Sequence, residues 1–158
     1  MRLRLLALTI AALFLAGCDY DAPLTPAPIH KIDARLLGDW VGVDPEAKQE
    51  EVMHVRALDD TTYVVAMDSD IYRAYHSDFA GTAFLTVQDL NADDRKYCFY
   101  TWALSADATR LTLRCVSTKV IPDQTKTTAG LQQLIQANLA NPKLLEKEIS
   151  FTRKVRHF

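Results

Sequence analysis

The sequence predicts a mainly β domain, an antiparallel barrel or sandwich with one helix before its last strand. Three observations carry this. Apolar and polar residues alternate through short runs, the period of a half-buried strand. Turn-forming clusters recur about every ten residues between those runs. One segment, 127–145, breaks the rhythm with Leu131, Leu134, Ile135 and Leu139 at helical spacing.

The strands follow in order. Residues 39–43 are short and alternate. Residues 51–58 set Met53, Val55 and Ala57 against Val52, His54 and Arg56. Asp59-Asp60-Thr61 turns the chain into 63–67, and Asp68-Ser69-Asp70 turns it again into 72–79. Residues 83–88 follow the break at Gly81, and the polar stretch 91–94 precedes two longer runs, 96–104 and 109–117. In the helical segment Thr127 or Thr128 is the candidate N-cap, and Asn141-Pro142 ends or kinks it. Residues 149–154 supply the last strand.

The two longer runs make a hairpin across Ser105-Ala106-Asp107-Ala108. A four-residue loop there pairs Leu104 with Thr109. Counting outward, Trp102 meets Leu111, Tyr100 meets Leu113, and Cys98 meets Cys115. Opposed residues of an antiparallel pair have Cα atoms about 4.5–5.5 Å apart, within reach of a disulfide. A Cys98–Cys115 bond is therefore expected, the alternative being two unpaired buried thiols. The same alternation turns Tyr97 and Phe99 to the opposite face, where the helix is the natural cover.

Export is written at the N-terminus. Arg2 and Arg4 precede an apolar run from Leu5 to Leu15, followed by small residues. These are the parts of a secretory signal. The run is about half the roughly 20 residues a membrane-spanning helix needs. It leads into Leu15-Ala16-Gly17-Cys18, which resembles the lipobox of bacterial lipoproteins. That resemblance implies removal of residues 1–17, lipid on Cys18, and a domain tied to the membrane in the cell envelope, facing the periplasm. Asp19 after the lipid site leans toward the inner membrane, with the outer membrane as the alternative. Residues 18–32, with Pro23, Pro26 and Pro28, read as an extended tether reaching up to about 40 Å. Residues 33–158 form the domain.

At the entry to the first strand, Gly38-Asp39-Trp40 resembles the Gly-X-Trp motif that opens lipocalins and lipocalin-like barrels. The resemblance implies a small up-and-down barrel in which the Trp closes one end under an Arg of the last strand. Arg153 would fill that role over Trp40, a cation–π contact of about 0.5–2 kcal/mol. It also implies an interior that can hold a small apolar molecule, lined by residues such as Tyr63, Leu85, Tyr100 and Trp102. Some barrels of this size are instead filled by side chains.

Signs of catalysis are few. Tyr72, Ala74, His76 and Asp78 share one strand face by alternation, and an Asp beside a His is the pattern of an oriented base. A solvent-facing or polar-lumen stripe is the simpler account of them, and there is no nucleophile elbow or phosphate-binding glycine loop. No cysteine and histidine spacing suggests a metal, and no cofactor is expected. The formal net charge of −2, with no basic stretch, offers nothing to nucleic acid. The expectation is a non-enzymatic envelope protein acting through protein interaction on its barrel, or, alternatively, a binder of a small apolar ligand.

Overall fold

The structure, a computed structural model, describes residues 18–43 and 48–155. The predicted leader, 1–17, lies outside the described residues. Eight strands run in chain order around a closed, all-antiparallel barrel. They are β1 (Gly38–Val43), β2 (Glu50–Ala57), β3 (Thr62–Met67), β4 (Asp70–His76), β5 (Phe84–Asp89), β6 (Tyr97–Leu104), β7 (Arg110–Cys115) and β8 (Ile149–Arg153). Closure comes from β1 against β8, where Trp40 pairs with Arg153 and Gly42 with Phe151. A closed sheet has no free edge, so every strand finds both of its backbone partners within the fold.

Alternation sorts the side chains into two cores. Inward residues, among them Trp40, Met53, Val55, Tyr63, Tyr100 and Phe151, fill the barrel. Outward Phe84, Phe99 and Val116 make a second core on one flank. Helix α1 (Thr128–Asn138) covers that flank with Leu131 and Ile135, both fully buried. The Thr127 side chain caps α1 by accepting from the Gly130 amide at 3.0 Å. The helix is shorter than its apolar spacing suggested. Beyond Asn138 the chain turns, with the Asn141 amide on the Asn138 carbonyl at 2.8 Å, just before Pro142.

One end of the barrel is shut by a 3-10 turn, η1 (Ala34–Leu36), capped by Asp33. We call this the closed end; the turns after β2, β4 and β6 lie there. The far end carries the turns after β3 and β5. At the closed end the Trp40 indole donates to the Leu36 carbonyl at 2.9 Å. The Arg153 guanidinium stacks on the Trp40 ring at 4.2 Å and donates to the carbonyls of Ala108 and Leu37, each at 2.8 Å.

Two expectations are corrected. The first is the hairpin register. In the structure Leu104 pairs with Leu111, Trp102 with Leu113, and Tyr100 with Cys115. The turn explains the slip, because Asp107 accepts from the Thr109 amide (3.1 Å) and hydroxyl (2.7 Å) and so draws Thr109 into the loop. A slip of two residues leaves every side chain on its own face, so hydrophobic patterning cannot detect it. Cys98 is therefore not opposite Cys115. It is bonded to Cys18, with Cα atoms 4.4 Å apart, and Cys115 is a free thiol.

The second is the tether. Residues 18–32 are strapped along the outside of the barrel from the far end to the closed end. Tyr20 and Tyr97 exchange backbone hydrogen bonds, and the Tyr20 ring stacks on Phe99 with centroids 4.9 Å apart. Leu24 is fully buried, and the Tyr75 hydroxyl donates to the Thr25 carbonyl at 2.8 Å. Farther on, the Ile29 amide donates to the His76 carbonyl and the Ile32 amide to that of Asp60. The prolines stiffen the segment as composition suggested, but its apolar side chains have a core to join.

Candidate functional site

Three places bring together the residues that sequence reasoning singled out. The first is the barrel interior. A wholly apolar cavity of about 50 Å³ remains there, lined among others by Leu36, Met53, Val55 and Val87. Tyr63, Leu85 and Tyr100 line it, and Trp102 does not. The Trp102 ring lies instead beside His76, with centroids 5.3 Å apart. Ligand pockets for small molecules usually span about 300–1,000 Å³, so this interior is filled by its own side chains.

The second place is a polar cluster at the closed end, beneath the strap. Its centre is His76, the last residue of β4 and 4% exposed. The Tyr63 hydroxyl lies 2.8 Å from His76 Nε2 and accepts from the Asp33 amide at 2.5 Å. Both contacts are satisfied when Tyr63 gives its own proton to Nε2, which leaves the imidazole proton on Nδ1. Above them His30, from the strap, meets Asp78 at 3.0 Å. Among the described residues, Asp78 Oδ1 and Trp102 Nε1 are buried without a hydrogen-bond partner.

Burial dominates the electrostatics of this cluster. It pushes the His76 pKa below its ordinary value, with nearby Asp78 opposing and His30 adding to the shift. Burial also pushes the Tyr63 phenol up to about 12. Asp33 is held below the usual carboxylate range, first by its hydrogen bonds from the Arg35 side chain. The result is a neutral imidazole joined to a neutral phenol. Such a pair can pass a proton along its hydrogen bond.

The predicted Tyr72, His76 and Asp78 stripe is only partly assembled. Tyr72 is the third residue of its strand, near the far end, where its hydroxyl donates to Asp70 at 3.5 Å. Four residues of extended chain, about 13 Å, separate it from His76. Asp78 lies past the end of β4 and reaches His30, a residue of the strap. Tyr63 and Asp33 were not linked to His76 beforehand. Their link depends on the β3–β4 pairing and on where η1 docks, neither of which local spacing encodes.

At the far end stands the third group, Cys18, Cys98 and Cys115. The Cys115 thiol is half-buried on β7 opposite Tyr100, and burial pushes it up to about 11. A thiol so protonated is a poor nucleophile. Among the described residues no group of three or more His, Cys, Asp or Glu side chains could hold a metal ion. Nor is any helix among them long and apolar enough to cross a membrane.

The eight-stranded antiparallel barrel closed end to end is consistent with a lipocalin-like fold. Comparison of the chain with protein-family models, with curated proteins and with solved structures finds no match.

Proposed function

We propose that this is a lipid-anchored protein of the bacterial cell envelope, facing the periplasm, that acts through protein interaction on its barrel and not by catalysis. The observation that carries the second half is the interior: at about 50 Å³ the cavity is too small for a ligand of ordinary size. What supports the first half is the charged, apolar and small-residue order of the leader, ending in Leu15-Ala16-Gly17-Cys18. Asp19 favours the inner membrane over the outer.

The lipid makes a definite chemical demand. A sulfur joined to Cys98 cannot also carry a thioether, so in a lipidated chain the Cys18–Cys98 bond is never formed and Cys98 keeps its thiol. Intact mass of the protein extracted from membranes decides the matter. A mature chain beginning at Cys18 with the added mass of a diacylglyceryl group is expected. A full-length chain, or one with Cys18 in a disulfide, overturns the lipid reading. For the interaction half, crosslinking in intact cells is expected to capture one or a few specific envelope proteins, and capture of none counts against it.

One observation favours a second reading. Every residue lining the cavity is apolar or presents an aromatic ring, which suits a small apolar ligand. Native mass spectrometry of gently purified protein would retain such a ligand.

A further inference from the structure

We infer that the lipid surface meets the far end of the barrel and holds it almost flush, with no tether between. The inference rests on lipid at Cys18 and goes beyond it by assigning which face of the domain touches the bilayer. Free reach is set by the distance in sequence from the lipid site to the first docked residue. That residue is Tyr20, 1% exposed, bound to Tyr97 through both backbone groups and donating its hydroxyl to the Ile121 carbonyl at 2.8 Å. Asp21 adds ion pairs with Lys96 and Lys126, and Leu24 is fully buried. Two residues of extended chain span about 7 Å, against the roughly 40 Å of a free tether. None of these contacts needs the Cys18–Cys98 bond, so a lipidated chain in which that bond never forms keeps the strap in place.

The docking point also sets the direction. Tyr97 begins β6 at the far end, beside the β5–β6 turn where Asp89, Asp93 and Asp94 face Arg95 and Lys96, the latter paired with Asp21; the β3–β4 turn with Asp68 and Asp70 shares that end and leaves the two turns net acidic. The closed end, with Trp40, Arg153 and the His76 cluster, therefore points away from the membrane and is free for a partner. The acidic turns select the kind of surface. Held within a Debye length of headgroups, about 8 Å at physiological salt, they suit a zwitterionic bilayer and are repelled by an anionic one.

The test places a genetically encoded fluorescent amino acid at Asp93, in the far-end turn, or at Asp60, in a closed-end turn; both positions are exposed. Protein extracted with its native lipid is reconstituted into phosphatidylcholine vesicles bearing a headgroup acceptor dye. Energy transfer from position 93 is expected to exceed that from position 60 several-fold. Equal transfer, or the reverse order, overturns the orientation. Undocking the strap with Tyr20→Ala and Leu24→Ala is expected to bring the two signals together, and an unchanged ratio overturns the role given to the strap. Adding phosphatidylglycerol at low salt is expected to lower transfer from position 93, and a rise overturns the zwitterionic preference. Intact mass separates the two failures. Lipidated protein with equal transfer sinks the orientation alone, whereas protein without lipid sinks the lipid reading and the orientation with it.

Discussion

Arg153 lies flat over Trp40, its guanidinium carbon 4.2 Å from the ring centroid, and ties three parts of the chain together from that position. It reaches the carbonyl of Leu37 before β1, that of Ala108 in the β6–β7 turn, and that of Arg35 in η1. Gly38 leaves room for it, since a Cβ there would come within 2.7 Å of Arg153 Nη1. Arg153→Ala removes the stacking and the hydrogen bonds to the half-buried Leu37 and Ala108 carbonyls, for a loss of about 1–3 kcal/mol. Urea unfolding should show this, with Arg153→Lys recovering only part because an ammonium cannot fork to several carbonyls.

Leu24 tests the strap independently of any membrane. It is fully buried in the second core with Tyr20, Phe99 and Ile135. Leu24→Ala should cost about 2–5 kcal/mol, as for a large-to-small change in a core. A free tether would tolerate the change with no shift in the unfolding midpoint.

His76 gives the pH dependence a sign. Its folded pKa is lowered from the ordinary 6.5, chiefly by burial. The unfolded chain therefore binds a proton first as pH falls, and stability declines below about pH 6.5 until the folded imidazole is protonated too. The slope in that window is at most about 1.4 kcal/mol per pH unit for one group. His76→Gln, whose amide oxygen can still accept from Tyr63, should flatten the curve just below pH 6.5. Losses at lower pH remain, because Asp33 and Asp39 are both held below the usual carboxylate range by hydrogen-bonded partners.

The cysteine connectivity predicts a thiol count. Folded protein without lipid should expose one thiol, Cys115, that reacts slowly because burial pushes its pKa up to about 11. The Cys18–Cys98 bond closes a loop of sequence separation 80, worth about 4–5 kcal/mol in the chain-entropy model. Cys98→Ala should lower stability by an amount of that order in unlipidated protein, while Cys115→Ala should leave the bond intact. Mapping the bond to Cys98 and Cys115 by peptide mass would contradict this connectivity.

Ala108 is strained where a glycine would be at ease. Its φ of 55° lies in the left-handed region, at the end of the Ser105–Asp107 turn. Ala108→Gly should stabilise the hairpin by about 1 kcal/mol, read as a rise in the unfolding midpoint.

Much of the architecture is legible residue by residue. Alternation in each strand, turn clusters between them, and the spacing of Leu131 and Ile135 are local properties of the chain, and they specify a mainly β domain with one covering helix. Gly38-Asp39-Trp40 likewise marks the closed end before any coordinate is known. The tertiary structure alone decided the hairpin slip that carried Cys98 away from Cys115, since a shift of two residues is invisible to a period-two pattern. It also decided the fate of residues 18–32. Their few apolar side chains show no periodicity because they follow no strand or helix, and only the flank built by Phe99, Leu131 and Ile135 gives Tyr20 and Leu24 somewhere to go. The link of His76 to Tyr63, Asp33 and Trp102 has the same origin: four segments distant in sequence meet because a barrel closes, and closure is a property of the whole sheet.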